Sequence, residues 1–118
     1  MINQFEVPTY LEEQLPGISC GFKNGENGGI YNSVHIFLDY TFKNIRENNI
    51  PVVKSCFALA DKLYTKGNQV VKSALENVYV FSFSNLPIKN ASDRNKLMGL
   101  IPVTLYSVYM KQVMHHGA

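Results

Sequence analysis

Residues 51–86 read PVVKSCFALADKLYTKGNQVVKSALENVYVFSFSNL, two apolar-patterned segments on either side of Gly67-Asn68. In the first, Val53, Cys56, Phe57, Ala60, Leu63 and Tyr64 recur at steps of three and four, which lines them up on one face of a helix. Pro51 suits a first helical position, where its missing N–H would have had no partner, and Gly67 suits the left-handed residue that closes a helix. Asn68 then offers a side-chain oxygen to cap a second helix, whose stripe runs through Val71, Ala74, Leu75, Val78 and Phe81. The stretch predicts a tight helical hairpin. Part of it is ambivalent, because Val78-Tyr79-Val80-Phe81-Ser82-Phe83 is β-branched and aromatic and would also suit a strand. Helix is preferred: the stripe continues from Val71 without a breaker, and a helix apolar nearly all round belongs in the middle of a molecule.

Upstream, Ile30, Val34, Phe37, Leu38, Thr41, Phe42 and Ile45 give a long helix ending at Asn48-Asn49, with Asn32, His35, Asp39, Lys43, Arg46 and Glu47 on its far side. The connection to the helix at Pro51 is short, which makes the two neighbours. A short first helix over 7–15 presents Tyr10, Leu11 and Leu15, takes Pro8 in its first turn and is stopped by Pro16-Gly17. Between them residues 16–29, PGISCGFKNGENGG, hold five of the eight glycines and read as a loop tied to the core by Ile18 and Phe22. Downstream, Ser92 can cap a last helix starting at Asp93, with Leu97, Leu100, Ile101, Leu105, Val108 and Tyr109 on its apolar side. Pro102 removes a backbone hydrogen bond from that run, so the helix kinks between Gly99 and Pro102, or splits into a short helix and a longer one beginning at Pro102. The expected fold is all-α: one domain over residues 1–118, a compact bundle of about five helices around the central hairpin.

Composition narrows the function classes. A hydrophobic fraction of 46% and a charged fraction of 17% are those of a globular chain of 118 residues with one core. Eleven basic residues against nine acidic leave a net charge of +2, too small to point to nucleic acid or an anionic membrane. No apolar run approaches the roughly 20 residues that span a bilayer, and the opening residues lack a leader pattern, so the default compartment is the cytoplasm. Cys20 and Cys56 have no CxxC spacing; Cys56 sits on the buried stripe and reads as a core residue. No zinc motif, disulfide framework or GK[ST] phosphate loop is present, and neither a metal nor a cofactor is expected.

The residues with chemistry to offer are few. His35 and Asp39 lie four apart on one helical face and can hydrogen-bond, but no nucleophile is placed beside them by spacing. Glu76 and Asn77 interrupt the expected central helix, where a carboxylate must reach solvent or find a donor such as a tyrosine hydroxyl. Tyr79 and Tyr106 stand for the seven tyrosines, whose amphipathic rings suit a core rim or a recognition surface. His115 and His116 are adjacent, so they point about 100° apart on a helix and do not chelate one metal together. Lys54, Lys62, Lys66 and Lys72 gather along the hairpin, interrupted by Asp61 and Glu76, and read as a solvated face.

The string from Cys56 to Leu86, with its leucine-containing helix, glycine turn and ALEN helix, and the ending IPVTLYSVYMKQVMHH resemble an uncharacterised family of short helical bacterial domains, over Phe5 to His116. More loosely the turn and the second helix of the hairpin resemble HEAT-like repeats of small proteins that neutralise partner toxins. The chain departs from those repeats in having Asn68 after the glycine and aromatic residues over 79–83. The function expected is that of a non-catalytic protein-interaction domain, of the immunity kind that the resemblance implies, which covers a partner's surface with an exposed helix face and the glycine-rich loop. Two alternatives stand beside it. One is a small-molecule binder or enzyme with a pocket between helices lined by tyrosines, His35 and Glu76. The other is a homodimer joined through an apolar patch at Val80 and Phe83.

Overall fold

The computed structural model describes residues 1–18 and 29–116. Among them lie six α-helices: α1 (Val7–Gln14), α2 (Gly29–Arg46), α3 (Ile50–Lys66), α4 (Gln69–Ala74), α5 (Ala91–Met98) and α6 (Val103–His116). Most of the glycine-rich loop, including Cys20 and Phe22, lies outside the described residues, as do the side chains of His115 and His116. The architecture is the expected all-α bundle. The ambivalent run does coil, but not as a uniform α-helix: α4 rewinds as a π-helix over Leu75–Val80 and then tightens into a 3₁₀-helix over Phe81–Asn85. Residues 69–85 thus form one continuous rod of changing pitch.

A rod that changes pitch leaves backbone carbonyls without their usual α-helical partners, and side chains take them up. Gln112 Nε2 donates to the Glu76 carbonyl at 2.9 Å, Ser82 Oγ to that of Val78 at 2.8 Å, and Arg94 Nη2 to those of Phe83 and Ser84 at 3.4 and 3.1 Å. The strand-like composition is accommodated because the rod is central. It packs on α2, α3 and α6, so that Leu75, Val78, Tyr79, Val80 and Phe83 are all buried. Burial of Val80 and Phe83 also removes them from any exposed patch, correcting the expected position of a dimer contact.

Aromatic rings fill the middle. Tyr79 stacks on Phe37 of α2, with centroids 4.6 Å apart and planes inclined by 20°. Phe83 meets Tyr79, Phe57 and Tyr109 edge-on at 5.7, 6.0 and 5.8 Å. Each such pair contributes about 0.5–1.5 kcal/mol beyond its buried area. The Tyr79 hydroxyl, enclosed with the ring, shares a 2.9 Å hydrogen bond with Thr41 Oγ1, which also donates to the Phe37 carbonyl, so the one polar atom of the stack is satisfied.

Turn and cap chemistry differs from the sequence expectation in two places. Gly67 is extended, with φ −76° and ψ 157°, not left-handed. Glycine is required there for room: a Cβ would fall on the Leu63 carbonyl and 2.7 Å from Val71 Cγ1. Ile2 lies against this turn, donating its N–H to Lys66 O at 2.7 Å and accepting from Asn68 N at 2.8 Å. Asn68 caps α4 as expected, through Oδ1 and Val71 N at 3.0 Å. The second difference is the cap of α5, which is Asn90 and not Ser92; its Oδ1 accepts from Ser92 N and Asp93 N at 2.7 and 3.4 Å. Pro102 ends up between two helices, the second of its two expected outcomes, since its ring cannot follow the turn before it. At the α2–α3 corner Asn48 takes the left-handed conformation, φ +57°, that asparagine tolerates better than most residues.

Candidate functional site

The polar residues singled out by the sequence are dispersed. His35 and Asp39 are exposed on the outer face of α2, and no hydrogen bond or ion pair joins them. Glu76 is half-buried beside Tyr64, whose hydroxyl is held above its ordinary pKa first by burial and then by the charge and hydrogen bond of that carboxylate. The tyrosine partner expected for Glu76 is therefore Tyr64. Asn77 is exposed and donates from Nδ2 to Tyr31 Oη at 3.2 Å, tying the rod to the start of α2. Tyr79 is sealed in the core, where burial followed by the nearby Cys56 raises its pKa well above the ordinary value. Tyr106 alone of the six lies on α6, exposed and 6.3 Å from the Tyr109 ring.

Cys56 is a free thiol within the same core, pushed up to about 11 by burial despite a hydrogen bond with Thr41 that lowers it. A thiol held neutral in this way is a poor nucleophile and a poor metal ligand. Among the described residues no three His, Cys, Asp or Glu side chains gather in a way that could hold a metal ion, and no helix is long and apolar enough to cross a membrane. The lysines read as one face of the hairpin are also separated: Lys62 lies over the Tyr10 ring and Lys72 over that of Tyr64, at 5.2 and 5.9 Å.

What the fold does concentrate is exposed apolar surface on α6. Leu105 is the only residue of 103–114 that is fully buried, and Tyr109 and Gln112 complete the side that meets the rod. The adjoining side carries Val103, Tyr106, Met110, Val113 and Met114, all within an arc of about 100° on a helix that turns 100° per residue. Val103 is 81% exposed and Met114 70%, with Tyr106 and Val113 near 40% and Met110 partly covered. Lys111 is the only charge between Val103 and Met114. The stripe is flanked by two hollows, one of about 400 Å³ by Met98, Gly99, Ile101, Val103 and Tyr106, the other of about 390 Å³ by Phe81, Ser84, Tyr109, Gln112 and Val113.

Val103, Val113 and Met114 were not among the residues that the sequence singled out. The signal was in the string VTLYSVYMKQVM, which is apolar on two sides. Periodicity assigned one side to the core and gave no reason to ask what covers the other.

A family model described as a domain of unknown function (DUF7674) matches residues 8–116, and the chain belongs to that family. No curated protein and no solved structure matches it.

Proposed function

We propose that this family member is a non-catalytic protein-interaction domain, and that it engages its partner through the outward face of α6. One observation carries the reading: a helix with a single charge over twelve residues lies at the surface with Val103, Tyr106, Val113 and Met114 exposed along one line. Isolated exposed apolar residues are ordinary, but a continuous stripe bordered by hollows is the kind of surface that association removes from water. Of the six polar candidates only Tyr106 belongs to this face, as an aromatic anchor at its centre. The action of such a domain is occlusion of whatever its partner presents to α6. Neutralisation of a toxin, which the HEAT-like resemblance of the hairpin implies, is one form that occlusion would take.

A homodimer is the second reading, favoured by the spacing of the stripe. Val103, Tyr106, Met110 and Val113 follow steps of three, four and three, the repeat that lets two helices interlock along a seam. Light scattering on the purified protein distinguishes the two, since a monomer at high concentration removes the homodimer and leaves the partner reading.

The test of the face is a triple variant, Val103→Ser, Val113→Ser and Met114→Ser. Immobilised wild-type domain is expected to retain a protein that the variant releases, the purified pair to reproduce the difference, and the two domains to unfold at the same temperature. Equal retention by both would place the contact elsewhere.

A further inference from the structure

A further hollow lies on a different part of the molecule, where the α2–α3 corner meets the loop 87–90 and α5, and it is basic. It measures about 750 Å³ and draws Arg46, Lys54, Lys89 and Lys96 to its rim against one carboxylate, Asp93. Four of the eleven basic residues and one of the nine acidic ones therefore gather in a single groove of a chain whose net charge is only +2. All four cations are exposed and none forms a salt bridge among the described residues.

Helix electrostatics accounts for two of these charges and not for the others. Arg46 and Lys96 sit in the last turns of α2 and α5, where a cation complements the helix dipole. Lys54 stands near the start of α3, the end that disfavours positive charge, and Lys89 is in a loop. The start of α3 adds to the positive potential: its cap residue Asn49 makes no side-chain capping bond, and its first turn holds no acidic residue. Beneath the rim the floor is aliphatic, formed by Ile45, Ile50, Ile88, Leu97 and Leu100. No aromatic residue lines the groove, so a nucleobase would find no ring to stack on.

We infer that this groove binds an acidic peptide segment of a protein partner, with carboxylates on the cationic rim and an aliphatic side chain on the floor. The site is separate from the α6 stripe. It shares with the proposed function only the premise that the domain binds protein, and the two stand or fall on different variants.

The test uses two labelled twelve-residue peptides in fluorescence anisotropy, one alternating glutamate with leucine and one of glutamate and glycine. A single-stranded oligonucleotide and inorganic pyrophosphate serve as competitors. The glutamate–leucine peptide is expected to bind at least tenfold more tightly than its glycine counterpart, and to weaken as salt is raised. The double variant Lys54→Glu, Lys89→Glu should lose at least tenfold in affinity, Lys54→Gln, Lys89→Gln less, and the α6 triple variant nothing. These lysines are exposed, so circular dichroism should show an unchanged fold in both variants. The inference is overturned if neither peptide binds, if charge reversal leaves binding unchanged, or if the oligonucleotide or pyrophosphate displaces the peptide more effectively than unlabelled peptide does.

Discussion

The rod of residues 69–85 and helix α6 are similar in composition and opposite in circumstance. The rod carries two charges, Lys72 and Glu76, and α6 only Lys111 between Val103 and Met114. Read by composition, both are helices for the inside of a protein. The rod is there: seven of its residues, from Val71 to Phe83, are buried among α2, α3 and α6. Helix α6 buries Leu105 fully and leaves four apolar residues exposed. Apolar character alone therefore does not say what will cover a helix. The rod is covered by its own chain, whereas α6 leaves one apolar side open.

The comparison can be broken most forcefully at the rod. Tyr79→Ala removes a ring packed against Phe37 and Phe83, and should cost about 3–5 kcal/mol in chemical denaturation, as large core truncations do. An effect of the size seen at surface sites would mean that the rod is not the centre of the core. Close behind comes Gly67→Ala. Its Cβ has no room between Leu63 and Val71, and a loss near the upper end of the roughly 1–3 kcal/mol range for overpacking is expected from the urea midpoint.

Alkaline pH probes the same interior. Cys56 ionises at about 11 in the folded protein against an ordinary 9.0, and Tyr79 is shifted in the same direction. Both groups keep protons that the unfolded chain gives up. Their stabilising contribution is therefore complete below pH 9 and declines as pH rises through the folded values. About 2–3 kcal/mol of stability should disappear by pH 11 on account of Cys56, at about 1.4 kcal/mol per pH unit. A flat stability profile from pH 8 to 11 would show that the thiol is not enclosed. Tyr79→Phe sharpens the point, because it keeps the ring and removes only the bond to Thr41, for an expected loss of about 1 kcal/mol. Smallest at each position is the effect of the triple serine variant on α6, within about 0.5 kcal/mol of wild type per surface site. A large loss there would show that the stripe supports the fold.

Much of the architecture was legible because it rests on local chemistry. The steps of three and four in 53–64, the capping oxygen of Asn68 and the break imposed by Pro102 each act within a few residues, and each appears in the structure. What was not legible depends on distant atoms. The need for glycine at 67 comes from the close passage of Leu63 and Val71, not from its own dihedral angles. The π-winding from Leu75 is supported by Gln112 and the 3₁₀ turn after it by Arg94, which arrive from α6 and α5. The basic groove is invisible for the same reason: Arg46, Lys54, Lys89 and Lys96 are spread over fifty residues and meet only when α5 is set beside the α2–α3 corner. Along the sequence Lys54 stands as near to Lys62, whose ammonium covers Tyr10, as to Arg46, which shares its groove.

The stacking of Tyr79 on Phe37 also equips the protein with an optical reporter of its own. The chain has no tryptophan, and Tyr79 is the one tyrosine among the described residues with no solvent-exposed surface, held rigidly between other rings. A near-ultraviolet dichroism band of tyrosine would consequently follow the interlocking of the interior. It should vanish in any state that keeps its helices while losing their fit, which far-ultraviolet signals would pass over.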